Sequence, residues 1–229
     1  MAERLAPLRE VAYERFRERL LGGTPLRPGA FVSQRELADL LDVPIGAVRE
    51  ALKRLEAEGL VTLFAQRGIQ IRDVNVTLIN EAFDLRIVLE REAVRRAARS
   101  EAERDALETL RERTQAVIDA ARQSIDEGLL EETMQVDLAL HALILKAFDN
   151  SLAQETYRVL DDKVRLIRMN RTFIAPRVIA AMEEHLAIID ALLAGDAPAA
   201  EAALEKHLRT SWRRSLGLPA DDTADPGAP

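Results

Sequence analysis

A carboxylate and three imidazoles are the residues of this chain whose types and spacing could do chemistry. The three histidines, His141, His185 and His207, all lie in the second half of the 229-residue sequence, in stretches that predict helices. Asp137 precedes His141 by four residues, so both side chains project from one helix face. The other two histidines could complete a cage for a divalent cation. The alternative is a charge-assisted pair of Asp137 and His141 on a helix surface, with His185 in the core or at a cap and His207 exposed.

This donor set narrows the choice of ion. Three neutral imidazoles and one carboxylate suit the borderline divalent ions zinc, nickel, manganese, cobalt and iron. Four such ligands would close a tetrahedral zinc site but would leave room on a five- or six-coordinate ion, where the carboxylate of an organic acid could bind. Activation of water for hydrolysis is the alternative use of such an ion. No general base or nucleophile accompanies the four residues, so we do not expect an enzyme.

Composition places the chain among helical globular proteins. Hydrophobic residues make up 48% and charged residues 31%, whereas aromatic residues are only 4%. Ala, Leu, Glu and Arg dominate, which favours helix. The lack of cysteine excludes disulfides and thiolate ligands. Because neither a signal-peptide core nor an apolar run of membrane length is present, we expect a cytoplasmic protein without a membrane partner.

The net charge of −7 is distributed unevenly. Residues 1–74 carry 12 Lys and Arg against 11 Asp and Glu, so the acidic excess lies in residues 75–229. An acidic total therefore does not exclude a local DNA-binding face in the first part of the chain.

The first 74 residues predict three helices followed by a two-stranded ribbon. Ser33 has the character of an N-cap, with Glu36 as its capping-box partner. Pro44 suits the first turn of the third helix, and Gly59 can end that helix in a left-handed conformation. This order is typical of a winged helix-turn-helix, and a small protein-docking module is the alternative. The predicted segments are 5–21, 34–42, 44–58, 60–64 and 69–72.

From Asn75 onward the sequence predicts six helices, or seven if one is divided. Their short connections imply antiparallel neighbours in a bundle. The tail at 217–229 has nothing to bury and is predicted to be disordered. We therefore expect a mainly α protein with a winged helix-turn-helix at 5–74 and a helical effector-binding and dimerisation domain at 75–216. The six predicted helices are 78–99, 103–125, 129–148, 151–171, 176–194 and 198–216.

Two sets of motifs resemble those of a known family. The first set resembles the DNA-binding domain of GntR-family bacterial transcription regulators: LRPG at 26–29, ELADLLDV at 36–43, VREALKRLEAEGLV at 48–61 and RG at 67–68. The second set resembles the all-helical effector (FCD) domain of the FadR-type branch: FDLRIVLEREAVRRAA at 83–98, EEHLAIIDALLAGD at 183–196, and Asp137, His141 and His207. Six effector-domain helices are similar to the VanR-like subgroup.

The resemblance implies a homodimeric regulator, such as a repressor, that binds a palindromic double-stranded DNA operator in response to a small organic or sugar-derived acid. It also matches Asp137, His141, His185 and His207 to the family's metal positions. Arg86 would provide a second clamp for the effector, since arginine pairs bidentately with carboxylates. A bundle salt bridge with a nearby glutamate is the alternative for Arg86. A regulator for which the ion itself is the signal is the other functional alternative.

Beyond Arg86, the sequence suggests two weaker candidates for the effector pocket. These are Asn150, between two predicted helices, and Arg168, near the end of one.

Seven residues are the candidates for contact with DNA. Arg35 and Arg49 match positions where the family places DNA-contacting arginines, and a guanidinium can bridge the O6 and N7 atoms of guanine. Lys53, and beside it Arg54, lie off the apolar stripe of the third helix. The candidates are Arg35, Gly46, Ala47, Arg49, Lys53, Arg67 and Gly68: Gly46 and Ala47 for close backbone approach, and Arg67 and Gly68 for a minor groove.

One departure from the family pattern concerns the start of the third helix. The family usually has a polar residue and an arginine directly after the position of Val43, whereas this chain has Pro44 and Ile45. Ile45 could contact a thymine methyl group instead. The operator sequence therefore does not follow from the resemblance.

Overall fold

The computed structural model describes residues 7–21, 26–65, 67–169 and 174–219. It divides the chain into two compact units. The first unit consists of Met1–Ile79 with Asp161–Asn170, and the second consists of Asn80–Leu160 with Arg171–Pro229. The division at Ile79 lies close to the predicted boundary at residue 74. The sequence predicted a single boundary between the two parts, so it did not assign the segment from Asp161 to the first unit. The predicted disordered tail lies outside the described residues from 220 onward.

The first unit is a winged helix-turn-helix, as predicted. Its sheet is antiparallel in the order β1-β3-β2, with Val61 opposite Ile71 and Phe64 opposite Gly68. The two-residue strand β1 was not predicted, because two residues within a loop carry no periodic pattern. Its elements are α1 (Leu8–Leu21), β1 (Phe31–Val32), α2 (Gln34–Leu41), α3 (Ile45–Ala57), β2 (Val61–Phe64) and β3 (Gly68–Ile71).

Local chemistry explains where the short helices begin and end. The Glu36 amide donates to Ser33 Oγ at 3.1 Å, and the Ser33 amide donates to Glu36 Oε2 at 2.7 Å, which confirms the capping box. Pro44 is the N-cap of α3. Gly59 has φ +73°, a conformation that glycine adopts without strain, and it turns the chain from α3 toward β2.

The second unit is built from the six helices that follow the wing in the described residues. Helix α5 packs on α6 and α8, and α8 packs on α9. Within the described residues, no helix has both the length and the apolar character needed to span a membrane. The helices are α4 (Val76–Ala97), α5 (Arg104–Ala121), α6 (Glu127–Lys146), α7 (Ser151–Arg168), α8 (Ala175–Leu193) and α9 (Ala197–Ser215).

The C-terminal part of α7, from Asp161 onward, belongs to the first unit. Leu166 is fully buried among the apolar residues of α1, α2 and α3. Next to it, Arg17 on α1 donates through Nε and Nη2 to the two carboxylate oxygens of Asp162, both at 2.7 Å. Asp162 is 1% exposed, and burial raises its pKa although the Arg17 guanidinium opposes that rise. A buried two-point ion pair therefore attaches this segment to α1.

Replacing Arg17 should destabilise the first unit. Arg17→Ala leaves the Asp162 carboxylate buried without its partner, so the free energy of unfolding should fall by about 3–5 kcal/mol. Arg19→Ala, which removes an exposed cation from the same helix, should change it by less than about 0.5 kcal/mol. Urea denaturation at neutral pH measures both values, and equal effects of the two substitutions would contradict the assignment.

The effect of Arg17→Ala should also depend on pH. Without the guanidinium, the pKa of Asp162 rises further above its value in the unfolded chain. A carboxyl group whose pKa is higher in the folded protein than in the unfolded chain binds its proton more tightly in the folded state. The protein therefore loses stability as pH rises through the folded-state pKa. The difference in stability between the variant and the wild type should therefore shrink as pH is lowered from about 7 toward 5.

Candidate functional site

The sequence-predicted metal residues come together inside the second unit. Asp137 and His141 lie on α6, His185 on α8 and His207 on α9, and one donor atom from each lies within 4.8 Å of the others. Asp137 is 9% exposed and the three histidines are 3% exposed or less. Three helices that are distant in sequence thus bring four side chains of metal-ligating types to one buried point.

The spacing of these donor atoms suits one shared ion. His185 Nε2 lies 3.3 Å from His207 Nε2 and 3.4 Å from Asp137 Oδ1, and His141 Nε2 lies 3.8 Å from Asp137 Oδ1. Two nitrogens bound to one zinc at about 2.0–2.1 Å in tetrahedral geometry are themselves roughly 3.3 Å apart. His141 Nε2 is buried and has no hydrogen-bond partner among the described residues, so the donor set fits a divalent ion.

Two carboxylates hold the outer nitrogens of the imidazoles. His141 Nδ1 lies 2.6 Å from Glu90 Oε2, and His207 Nδ1 lies 2.8 Å from Glu184 Oε2. With Nδ1 protonated and donating to the carboxylate, Nε2 is left with its lone pair directed to the centre of the cluster. Carboxylate-to-histidine contacts of this kind orient metal ligands in proteins. Neither glutamate was predicted, although each lies in a motif that carries a predicted site residue.

Glu90 is the centre of a buried polar network. Besides His141, it accepts a hydrogen bond from Tyr157 Oη at 2.8 Å and one from Arg86 Nε. Burial by itself would raise the pKa of Glu90, but Arg86 and His141 outweigh burial and lower it to about 2. Burial opposes the charge of Arg86, yet Glu90 raises the pKa of this guanidinium. Glu90 and Arg86 therefore both carry their charges, and Glu90 holds His141 in place.

The pKa of Glu184, the second carboxylate, is shifted in the opposite direction to that of Glu90. Burial raises the pKa of Glu184 to about 7, although Arg214 and Lys206 oppose the rise. Burial, and after it the charges of His185 and His141, lower the pKa of His207 well below its ordinary value. His207 is therefore neutral near pH 7, which is the form of imidazole that binds a metal.

The three predicted effector residues lie in different parts of the structure. Arg86 is 1% exposed and makes the salt bridge with Glu90 that the sequence offered as the alternative, while its Nη1 has no partner among the described residues. Asn150 is exposed, and its side chain accepts from the Ala153 amide at the start of α7. Arg168 belongs to the first unit and not to the unit that contains the histidines. The structure therefore joins only Arg86 to the network around the histidines.

The predicted DNA-reading residues lie on the surface of the first unit. Arg35 is exposed in the first turn of α2, and Arg49 is exposed on α3, where its Nε donates to Gln34 Oε1 at 2.9 Å. Lys53 is exposed and pairs with Glu50 one turn earlier, at 2.7 Å. Cations on the outer face of the third helix are what a winged helix presents to DNA.

The small residues near the start of α3 leave that end of the helix open. A Cβ atom built on Gly46 would meet no heavy atom within 4 Å. Ala47 is half-buried and packs against the core of the first unit. Ile45, which stands where the family usually has an arginine, is 42% exposed.

Arg54 lies off the apolar stripe of α3 and is exposed, as the pattern indicated, but neighbouring side chains engage its guanidinium. Its guanidinium lies 3.8 Å from the centre of the Tyr13 ring and pairs with Glu10 and Glu58, both at 3.1 Å. These contacts fix α3 on α1. The periodic pattern identified Arg54 as lying off the apolar stripe, but it could not show that α1 supplies partners for it.

At the wing, Arg67 is exposed while Gly68 is constrained by packing. Gly68 has φ +91°, and a Cβ atom there would lie 2.8 Å from the carbonyl oxygen of Val32 in β1. Glycine is therefore needed so that β3 can approach β1. Gln66, in the predicted turn, lies outside the described residues.

Comparison with known proteins defines the class of molecule. The family model for "Bacterial regulatory proteins, gntR family" matches residues 8–71, and the FCD-domain model matches residues 81–210. The transcriptional repressor RspR of Escherichia coli (strain K12) is 26% identical over 185 residues, which are 80% of this chain and 78% of RspR. A probable D-xylose utilization operon repressor of Paenarthrobacter nicotinovorans is 29% identical, over 82% of this chain and 79% of its own.

The fold agrees with the sequence comparison. The solved structure of E. coli McbR/YncC superposes with a TM-score of 0.75 at 20% identity and covers 93% of this chain and 99% of its own. The chain is a DNA-binding transcription regulator and not an enzyme. It belongs to the GntR family and carries an FCD domain as its second part.

The carboxylate behind His207 should tune metal affinity. Glu184→Gln removes the carboxylate that orients His207 Nδ1 and should weaken metal binding by about 10- to 100-fold. Glu183→Gln alters an exposed carboxylate one residue away and should leave the affinity unchanged. Competition with a chromogenic chelator measures both. Equal affinity of the two variants would show that Glu184 does not support the site.

Metal affinity should also depend on pH. Protons compete with a metal for imidazole nitrogen, so the affinity should decrease as pH falls through about 6. Because the pKa of His207 is lowered, His207 itself should contribute to this loss only at more acidic pH. The same chelator competition, repeated across pH, measures the decrease.

Arg49 should contribute directly to operator affinity. Arg49→Ala removes a guanidinium from the exposed face of α3 and should cost about 1–3 kcal/mol in operator binding. Gln34→Ala removes the side chain that holds Arg49 and should have a smaller effect in the same direction. Fluorescence anisotropy measures both, and unchanged affinity of Arg49→Ala would remove it from the interface.

Proposed function

We propose that this protein is a metal-containing, acid-responsive transcriptional repressor that binds a palindromic operator as a homodimer. The observation that carries the proposal is the buried cluster of Asp137, His141, His185 and His207, with Arg86 held next to it by Glu90. The winged helix-turn-helix supplies the DNA-binding part. Because its target is bacterial DNA, we expect it to act in the cytoplasm.

Four side chains would hold the ion. Asp137 supplies a carboxylate oxygen, and His141, His185 and His207 each supply an imidazole nitrogen. The set is compatible with zinc, nickel, manganese, cobalt or iron. When bound, the ion supplies a fixed positive charge that can accept a carboxylate of the effector.

The remaining residues of this unit prepare the site for an anion. Glu90 and Glu184 orient His141 and His207, and burial keeps water from competing for the donors. Arg86 keeps its charge through Glu90 while its Nη1 has no partner among the described residues. A buried N–H group without a partner is costly, and an effector carboxylate would satisfy it.

The dimer follows from the proposed operator. A palindromic site presents two equivalent half-sites, and each would receive one winged helix in a twofold-symmetric complex. Arg35, Arg49 and Lys53 would contact one half-site, with Gly46 and Ala47 allowing close approach of the backbone. Arg67 and Gly68 would carry the wing toward the minor groove. The effector would change operator affinity by binding one arrangement of the dimer better than another.

A regulator for which the ion itself is the signal is the second candidate. Its specific support is that the cluster provides four protein donors and is almost fully buried. Four donors complete a tetrahedral site without any further ligand. Under this alternative the unpartnered Arg86 Nη1 would have no role in signalling.

One experiment separates the two candidates. Thermal shift is measured with a panel of organic and sugar acids, with the metal present and after its removal. Sugar acids belong in the panel because one relative is named for D-xylose utilization. The proposal expects the metal to stabilise the protein and an acid to add a second shift only when the metal is bound. Operator binding that responds to the metal alone, and to no acid, would favour the ion as signal.

Arg86→Lys tests the clamp within the same experiment. Lysine keeps the positive charge beside Glu90 but loses the planar fork of the guanidinium. Acid binding should weaken by about 10- to 100-fold, while the shift caused by the metal is retained. Arg91→Lys, at a partly exposed position on the same helix, serves as the control. Loss of the metal-induced shift in Arg86→Lys would point to a structural role for Arg86.

A further inference from the structure

Two phenylalanine rings are exposed on the outer face of the wing sheet. Phe31 on β1 is 54% exposed and Phe64 on β2 is 39% exposed, and their ring centres lie 5.6 Å apart at an angle of 50°. The inner face of the same sheet buries Val61, Ile69 and Ile71 in the core of the first unit. The two rings therefore form an apolar surface that the core does not require.

The sheet register fixes the two rings at one place. Phe31 is paired with Gln70 and Phe64 with Gly68, so the rings stand on the two sides of β3. Gly68 has no side chain to separate them, and its backbone lies directly against Val32. We call Phe31 and Phe64 the aromatic pair.

The aromatic pair is continuous in the chain with the DNA-reading surface. Two residues after Phe31, Ser33 caps α2, and Gln34 then holds Arg49 on the recognition helix α3. On the other side, Phe64 is three residues from the exposed Arg67 at the turn of the wing. Along the chain, the aromatic pair thus has an exposed arginine at the wing on one side and the residue that holds Arg49 on the other, whereas the carboxylate of Glu36 accepts from the Ser33 amide.

We propose that the aromatic pair is a DNA-contacting element that packs against the deoxyriboses of the minor groove next to the half-site read by α3. Nucleic acid is favoured over a protein partner because the segments that carry the pair continue into Arg67 and into the Gln34–Arg49 contact, which suit phosphate. Apolar side chains at minor-groove binding surfaces press against sugars or between base steps, and easily deformed steps accept them at the lowest cost. The pair would therefore add affinity without adding charge.

The salt dependence of binding tests this idea. The probe is a short duplex selected from a random library by the wild-type protein. Covering the exposed part of one ring is worth about a tenfold change in binding constant, so Phe31→Ala and Phe64→Ala should each weaken binding roughly tenfold. Because neither ring neutralises a phosphate, the slope of log K against log salt should stay at the wild-type value. Arg67→Ala should instead weaken binding and reduce that slope by about one.

Leu8→Ala is the matched control for loss of an exposed apolar side chain. Leu8 is 57% exposed on α1 of the same unit, and its loss should leave DNA affinity unchanged. Urea denaturation of every variant shows whether the fold is retained. Unchanged DNA affinity of both phenylalanine variants overturns the proposal. A loss of affinity that follows a loss of stability, or that changes the salt slope, also overturns it.

A photocrosslinker gives a direct readout. Phe64→p-benzoylphenylalanine, irradiated in the complex with the selected duplex, should attach the protein to DNA near the edge of the half-site. Irradiation of the same variant without DNA tests the competing partner. Crosslinking between two protein chains, with none to DNA, would identify the aromatic pair as a protein interface and overturn the proposal.

Discussion

The second unit depends on how three imidazoles and a carboxylate can be buried together. Burying polar groups without partners is costly, and a ring nitrogen that finds no partner loses the hydrogen bonds it makes with water. For two of the three rings the structure meets this constraint from outside the cluster: Glu90 contacts the outer nitrogen of His141, and Glu184 contacts that of His207. The inner nitrogens then converge on one point, which is why a cation is the natural completion of the site.

The need for partners also applies to the buried residues behind the histidines. Glu90 is itself fully buried, so its charge requires Arg86, His141 and Tyr157 around it. Arg86 in turn donates through its Nε to Glu90, whereas its buried Nη1 has no partner among the described residues. A site that pairs its internal charges while Arg86 Nη1 has no partner among the described residues is suited to an anionic ligand. The sensory role proposed here follows from that imbalance together with the family assignment.

In the first unit, buried charge and close backbone packing determine which residues remain for DNA. Arg17 pairs with Asp162, and Arg54 contacts Tyr13 and pairs with Glu10 and Glu58, so both guanidinium groups are engaged within the first unit. Arg35 and Arg49 stay exposed. These four arginines are indistinguishable in charge and all lie on predicted helices. Their packing partners alone separate the structural ones from the candidate readers.

Much of the fold was predictable because it is encoded locally. The capping box at Ser33 and the turn at Gly59 each act within one helical turn, and the six later helices follow from their periodic patterns. Strand β1 was missed because its pairing with β3 joins residues almost forty positions apart. The assignment of Asp162 and Leu166 to the first unit was missed for the same reason, since no local signal links them to α1.

For the candidate site, too, some features followed from the sequence and others only from the tertiary structure. The sequence by itself determined the four metal-binding residue types, the winged-helix order and the membership of a family, because these depend on residue identity and spacing. Only the tertiary structure decided that Glu90 and Glu184 stand behind the histidines and that Arg86 joins this network. These roles depend on contacts between distant helices, where burial and hydrogen-bond geometry, rather than sequence spacing, select the partners.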